Sequence, residues 1–389
     1  MNAVLVEKIL RVQPGVKKLY LLVRAQDNTA AQHRVLKEVV GQELFRTLRK
    51  IHGDKFRSFI QEKISPVAGD IIHEDLGIES PQVKQLSEEI DIIVNGAAIT
   101  NFYERYDVAL ASNALGTKRI CQFAKQCVHL KMLLHVSTAY VLTGEQKGLL
   151  PEKPIQMGET PKPDCHLDIE AELETIDIVI DAYDKQTIPC FICDHNSTVD
   201  AIPGDMVVNA AMVAIAAHYA EETQIIYHVT SAHKNPLQMY LLEELAYGYF
   251  FVNPRVREGK RTIQHKRLLL FTRYLYFHAY MVLAYKIPLQ MLYLVNLLLG
   301  GLFSEFHNKL NRNYNFFMLL AKLYAPFTTF KACFDNTNLR KLWRMTGACQ
   351  GDGYIFNFDP NCVNWSLYLF NTHIPAALKI SRGKKDGIA

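Results

Sequence analysis

Cysteine, net charge and uninterrupted apolar sequence are all scarce in this chain of 389 residues. Eight cysteines are too few for a disulfide scaffold and read as reduced thiols of an intracellular protein. The 43 basic and 39 acidic side chains leave a charge of only +4, too weak a field to point to nucleic acid, and no nucleic-acid partner is expected. Apolar residues at 49% and charged residues at 21% lie near globular averages, which excludes wholesale disorder. A mean hydropathy of −0.02 argues against a polytopic membrane protein. The start, Met1 to Lys8, has no basic region, and Glu7 interrupts its apolar run, so no signal peptide is expected. The tail matches neither a prenylation box nor a peroxisomal tripeptide.

The most apolar region, 268–303, is broken by Arg273, His278 and Lys286, so it is not one clean span of ~20 residues. Its longest uncharged piece runs from Ile287 to Phe303. Upstream lie Arg255, Arg257, Lys260, Arg261, Lys266 and Arg267 against one acid, Glu258. A basic collar beside a Tyr/Phe/Leu stretch fits peripheral contact with an anionic membrane through 255–303. A buried helical pair with a solvated charged edge fits the same pattern.

The first half alternates helix-like and strand-like segments. Residues 3–12 have helical period, ended by Gln13-Pro14-Gly15, and Leu19 to Arg24 reads as a buried strand. A long polar helical region is expected over 30–62, then a strand over 64–70 and a helix over 82–89. Strands are expected at 90–98 and 132–138, separated by a helix over 107–129. Residues 145–175 form a polar excursion, Val207 to Tyr219 an Ala-rich helix, and Ile225 to Thr230 a strand closed by Asn235-Pro236. Nearly all-apolar strands alternating with helices predict a parallel sheet covered on both faces, with ligands at the carboxyl ends of its strands. From 237 onward helical patterns dominate. The expected architecture is therefore an α/β domain over 1–236 followed by a mostly helical domain over 237–389.

Four segments together are specific: Val6 to Arg11 followed by Lys18 to Arg24; Val94-Asn95-Gly96-Ala97-Ala98 with Asn101-Phe102; His135 to Val141; and Asp200 to Asn209. In this order they resemble the plant alcohol-forming fatty acyl-CoA reductases, within the extended short-chain dehydrogenase/reductase class. Phe334 to Leu339 and Phe358-Asp359-Pro360 with Asn364-Trp365 resemble that family's sterility-type C-terminal domain. The resemblance implies a Rossmann-type sheet and reduction of long-chain fatty acyl-CoA to primary alcohol by NADPH, serving wax and surface-lipid synthesis. It also implies an intracellular place at the endoplasmic reticulum membrane. Arg24 would meet the 2′-phosphate of NADPH, and Asp70 would lie near adenine. Asn95, Gly96, Ala97 and Ala98 would let the backbone pass close to the cofactor, while Thr138 and Ser137 would offer a hydroxyl to the substrate carbonyl. A surface arginine and a helix N-cap are the plain alternatives for Arg24 and the Ser-Thr pair.

Two parts of that family's pattern are missing. No glycine precedes Gly15, so the glycine-rich turn that places a pyrophosphate on a helix N-terminus is not encoded. None of the 19 tyrosines has a lysine four positions on, so the Tyr-x-x-x-Lys proton-delivery pair is absent. Tyr183 and Lys185 are too close in sequence to share a helix face. The order of segments suggests an internal deletion near Glu174–Thr175. The expected sheet is therefore incomplete, lacking its central strand, and activity is expected at or near background. The alternative is a non-catalytic truncated isoform that binds membrane, acyl-CoA or a full-length partner. Cys190 and Cys193 have C-x-x-C spacing but sit in an apolar run and read as core cysteines; no metal is expected. Asp200 reads as a turn residue and Asp205 as the N-cap of the following helix, and His228 and His233 as loop residues. The Tyr/Phe/Leu stripe over 274–303 reads as helical core packing or an acyl-chain groove.

Overall fold

The computed structural model describes residues 1–100, 106–142, 148–154, 190–219, 221–254, 267–346 and 355–379. The Asn101-Phe102 motif, Tyr183 and Lys185, the break near Glu174–Thr175 and the basic residues from Arg255 to Lys266 lie outside the described residues. The chain divides into two compact units. The first comprises Met1–Thr138, Pro203–Ile225 and Leu339–Phe358; the second comprises Ala139–Ile202, Ile226–Asn338 and Asp359–Ala389.

In the first unit, helix α1 (Asn2–Val12) buries Leu5, Val6 and Leu10 and ends before Pro14-Gly15. Strand β1 (Leu19–Val23) follows, then α2 (Asn28–Arg34), whose N-cap Asp27 accepts from the Ala30 amide at 2.7 Å. The long helix expected over 30–62 is instead a series of short ones. A π-turn (Val35–Val40) stops at Gly41, and α3 (Arg46–His52) and α4 (Phe56–Lys63) are separated at Gly53. The glycines break the period because neither favours a helix interior.

Strand β2 (Ile64–Ala68) pairs in parallel with β1, Leu19 opposite Ile64 and Val23 opposite Ala68. Pro66, which cannot donate to a ladder, is tolerated because β2 has a neighbour on one side only among the described residues. Helix α5 (Ser80–Glu89) leads to β3 (Ile92–Asn95). Two helical stretches, α6 (Tyr106–Ala109) and α7 (Thr117–Gln126), join through a π-turn and lead to β4 (Met132–His135). β3 and β4 are parallel, Ile92 opposite Met132 and Asn95 opposite His135. Among the described residues the two pairs form separate two-stranded sheets. A shared side-chain core links them. Val67, Ile71, Val83, Leu86, Ile120 and Phe123 are buried together, with Leu22 from β1 and Ile93 and Leu133 from β3 and β4 packed against them.

In the second unit the strands are two or three residues long. β5 (Gly148–Leu150) runs parallel to β10 (Ala332–Phe334), and β6 (Cys190–Ile192) parallel to β9 (Leu269–Phe271). β7 (Thr198–Val199) is antiparallel to β8 (Leu237–Gln238). The strand expected over Ile225 to Thr230 does not form. Its His228 amide is taken by a side chain, Glu152 Oε1 at 2.8 Å, rather than by a neighbouring strand. Helices dominate beyond 237, as expected.

Helix α8 (Gly204–Ala217) belongs to the first unit. It begins at Gly204 with Pro203 before it, so Asp205 lies inside its first turn and is not the N-cap. One lysine ties the dispersed segments of this unit together. Buried Lys8 of α1 donates to Asn209 Oδ1 of α8 and to the Ile355 carbonyl, and its ammonium lies 5.2 Å from the centre of the Phe356 ring. Asn209 Nδ2 continues to the Asn357 carbonyl at 2.6 Å. Desolvation holds the Lys8 pKa below its ordinary value. Replacing Lys8 leaves two acceptors without this donor, so Lys8→Ala is expected to destabilise the unit by about 2–3 kcal/mol. Urea unfolding followed by fluorescence checks this; an unchanged midpoint overturns the tie.

Candidate functional site

Parallel strands place residues beyond their carboxyl ends on one side of a sheet. Arg24 follows β1 and is exposed. Its carbonyl accepts from Arg34 Nη1 at 2.5 Å, and Arg34 is itself held by Glu38 through two hydrogen bonds at 2.8 and 2.9 Å. The guanidinium at position 24 thus sits on a braced backbone. Asp70, two residues past β2, is committed to its own turn: Oδ1 accepts from the Ile72 amide at 3.1 Å and its amide donates to the Leu76 carbonyl at 2.7 Å.

At the other strand pair, Asn95 closes β3 and is only 2% exposed. Its Oδ1 accepts from the Ala97 amide at 3.2 Å, and its Nδ2 lies 3.1 Å from His135 Nδ1 on β4. The amide side chain therefore shapes the Gly96–Ala98 bend and ties together the last residues of two strands. Gly96 is small for a reason: a Cβ there would collide with Asn2 Oδ1. Asn2 also donates from Nδ2 to the Gly96 carbonyl at 3.0 Å, which sets the N-terminus of α1 beside this bend. Ala97 and Ala98 are exposed. Beyond β4, Ser137 is exposed and Thr138 half-buried.

The structure thus brings Asn95, Gly96 and His135 together, with Ser137 and Thr138 following β4. Arg24 and Asp70 follow the separate β1–β2 pair. Two residues that hold this surface were not singled out from sequence. Asn113 clamps Ile99, accepting from its amide at 2.8 Å and donating to its carbonyl at 3.0 Å. Gly116 packs close to Ile71. An Asn three residues before a Gly inside a helix was the available signal, but the partner of Asn113 lies upstream across a loop.

A dinucleotide fits this arrangement only in part. The exposed Arg24 and the small-residue bend suit an adenosine phosphate and a close backbone approach. The pyrophosphate does not fit at the Gly96 bend, which Asn2 and Met1 cover.

The second unit holds a polar cluster of its own. Asp200 is no local turn residue: its Oδ1 accepts from the amides of Ser231 at 2.7 Å and Ala232 at 3.2 Å, fixing a loop thirty residues on. Tyr140 brackets its backbone, the phenol oxygen 3.1 Å from the Asp200 amide and 3.3 Å from its carbonyl. Asp200 Oδ2, Thr230 Oγ1 and Ser231 Oγ are buried without hydrogen-bond partners among the described residues. Desolvation pushes the Asp200 carboxyl up to about 6, against the two amides and the nearby Ser231 hydroxyl, which lies outside hydrogen-bond geometry. Glu152 bridges the His228 amide at 2.8 Å and the Asn338 amide at 2.5 Å. His228 Nδ1 lies 2.9 Å from the Asp335 carbonyl, which assigns the ring proton to that nitrogen, and burial lowers its pKa. His228 therefore does more than occupy a loop. Glu152 was missed in the sequence because its partners are 76 and 186 residues away. Cys190 and Cys193 are buried free thiols pushed up to about 12 by desolvation, as core cysteines are.

A family model described as male sterility protein, of the NAD-binding kind, matches residues 1–175, and the Sterile model of the same description matches 284–380. Fatty acyl-CoA reductase 1 of Arabidopsis thaliana is 37% identical, covering 96% of this chain and 94% of the relative. The alcohol-forming fatty acyl-CoA reductase of Simmondsia chinensis is 33% identical, covering 97% and 94%. Among solved structures, the terminal R domain from the myxalamid PKS-NRPS biosynthetic pathway superposes with a TM-score of 0.56 at 17% identity, over 95% of this chain and 88% of that one. That likeness concerns the fold alone. The Arabidopsis alignment extends over 463 positions, more than the 389 residues of this chain, so the relative carries residues with no counterpart here.

Asp200 gives a pH signature with a definite sign. Its folded pKa is raised above the unfolded one, so the folded state holds a proton that the unfolded chain releases. Stability is expected to fall as pH rises from about 4 to about 6 and then level off. Asp200→Asn keeps the acceptor for both amides, should remove that slope, and should be more stable above neutral pH by about 2 kcal/mol. Urea midpoints at pH values on either side of that window check this; equal slopes for both proteins overturn it.

Proposed function

Because this chain belongs to the fatty acyl-CoA reductase family, we propose that its reaction is the reduction of a long-chain fatty acyl-CoA to the primary alcohol by NADPH, carried out by this polypeptide at or near background. The observation that carries the reaction class is identity of 33–37% to reductases over nearly the whole chain, including one that is alcohol-forming. The NAD-binding family model supports a nicotinamide cofactor. Preference for NADPH rests on Arg24, whose guanidinium fork suits a phosphate dianion at a strand end. Thr138 and Ser137 are the hydroxyls proposed to face the substrate carbonyl, and Asn95, Gly96, Ala97 and Ala98 the bend beside the cofactor, with Asp70 toward adenine.

Low activity follows from chemistry that the residues do not supply. Reduction of a thioester to an alcohol needs two hydrides, loss of the thiol, and a proton for the final alkoxide. A serine or threonine hydroxyl can donate a hydrogen bond to that oxygen. It is a poor proton source near neutral pH without a neighbour that lowers its pKa. The Tyr-x-x-x-Lys pair that would serve is absent from the sequence. The covered Gly96 bend weakens cofactor binding in addition.

A second reading, a non-catalytic isoform, is favoured by the apolar segment Tyr274–Leu298, which stays largely outside the protein's own core. In that reading the chain contacts a membrane peripherally through 255–303.

Two measurements test the proposal. Fatty alcohol in a host expressing this exact chain is expected to equal that of the empty host, with folded protein confirmed in the same samples. New long-chain alcohol overturns the low-activity reading. Titration with the adenosine half of NADPH, with and without its 2′-phosphate, tests Arg24: Arg24→Ala should lose about tenfold in affinity for the phosphorylated form only. Equal effects on both forms remove the phosphate role.

A further inference from the structure

The apolar segment of the second unit continues through a turn. Helix α9 (Met239–Val252) precedes it in this unit. Helix α10 (Tyr274–Met281) then passes through a π-turn (Val282–Lys286) into α11 (Ile287–Leu298), and α12 (Ser304–Thr328) returns after the turn at 299–303. The base belongs to the protein: Phe277 and Met281 are 0% and 2% exposed, with Met281 Sδ 3.5 Å from Cys190 Sγ. The distal part does not. Leu298 is 85% exposed, Leu302 78%, Leu297 66% and Met291 65%. Core packing, one of the two readings of the 274–303 stripe, therefore holds for its base and not for its distal part. No charged residue lies between Lys286 and Glu305.

We propose that the α11–turn–α12 hairpin inserts its tip, Leu297 to Phe303, into one leaflet of an anionic phospholipid bilayer without spanning it. This deepens the peripheral membrane contact stated above and is independent of catalysis. Three observations carry it.

The first is that the tip satisfies its own backbone. Hydrocarbon offers no hydrogen bonds, so a turn that enters it must pair its polar groups internally. Asn296 is 7% exposed and does much of this pairing. Its Oδ1 accepts from the Phe303 amide at 2.6 Å, its carbonyl accepts from the Gly301 amide at 2.8 Å, and its Nδ2 donates to Ser304 Oγ at 3.0 Å. The amides of Leu299, Gly300 and Ser304 bond to carbonyls of Val295, Leu297 and Gly301. Gly300 and Gly301 take φ of 66° and 90°, which lets the chain reverse within a few residues.

The second is depth. The continuous helix Tyr274–Leu298 has 25 residues, but its base is packed in the protein at Phe277 and Met281. Beyond Lys286 only α11 remains, 12 uncharged residues with a rise of about 18 Å, short of the ~30 Å hydrocarbon core. On the return arm, Glu305 and Lys309 lie within two turns of the tip and set a limit at the headgroup layer. The third is charge. Arg273, Lys286, Lys309 and Arg312 flank the finger against one acid, Glu305, a balance that suits anionic headgroups.

The experiment uses the full chain and flotation on vesicles of phosphatidylcholine, with and without phosphatidylserine. The chain should float with the anionic vesicles and stay bound in high salt. Leu298→Glu combined with Leu302→Glu should reduce the bound fraction about tenfold or more while leaving the urea midpoint unchanged, since both side chains are exposed. Leu298→Trp should be quenched most by lipids brominated near the headgroup. Release by salt, with the glutamate variant binding equally well, overturns insertion while leaving an electrostatic membrane contact standing. Quenching greatest at the bilayer centre overturns the shallow depth. Absence of flotation, with self-association abolished by the glutamates, overturns both readings and assigns the face to a second copy of the chain.

Discussion

A parallel strand exposes two rows of backbone groups, and the arrangement of the first unit depends on how those rows are partnered. β1 pairs with β2 and β3 with β4, but no ladder joins the pairs among the described residues. Hydrogen bonding would normally set the spacing of four such strands at once. Here side-chain packing sets it instead, since Val67, Ile120 and Phe123 belong to one core to which β1, β3 and β4 also contribute. Packing is less directional than a ladder, so local polar ties matter more. Lys8 and Asn113 supply them, each joining segments that the sheet does not, while Asn95 ties the ends of the paired β3 and β4.

The same missing ladder bears on chemistry. In a doubly wound sheet the ligand crevice forms where strand order reverses about a central strand. Residues that resemble a reductase's cofactor site are present after β1, β2, β3 and β4, but they follow two separate strand pairs. At one of them the α1 N-terminus lies directly against Gly96. The family resemblance therefore defines the reaction class more firmly than the local geometry supports its rate. A proton donor tuned by a neighbouring cation is also a matter of spacing, and this sequence contains no Tyr-x-x-x-Lys.

The second unit shows the opposite balance between polar and apolar groups. Its buried polar cluster around Asp200, Glu152 and His228 holds loops rather than strands, with carboxylates accepting amides that a longer sheet would have used. Its apolar surplus lies outside, on α11 and the following turn, where Asn296 is turned inward and the leucines outward. Enclosing the amide and exposing the hydrocarbon is the arrangement expected for a surface that meets lipid, since the surrounding medium then carries the apolar area.

Local pattern determined a good part of this protein in advance. The apolar alternation identified α1, β1, β2, β3 and β4 to within a few residues, because each is a run whose period and end signals are contiguous. Family motifs at Arg24, Asn95–Ala98 and Ser137–Thr138 were legible for the same reason, as was the missing Tyr-x-x-x-Lys spacing. Partnership between distant segments was not. Residues 225–230 have strand composition, yet the amides of His228 and, just beyond, Ser231 find Glu152 and Asp200, and no strand forms. The stretch 30–62 has helical composition, yet its glycines divide it. Lys8 and Glu152 carried no local signal, and the stripe at 274–303 fitted core packing, an acyl-chain groove or a membrane face equally until the exposure of its distal part was seen. Composition and period act over a few residues, whereas a hydrogen bond between positions 8 and 209, or the solvent face of a helix, is decided only once the chain has folded.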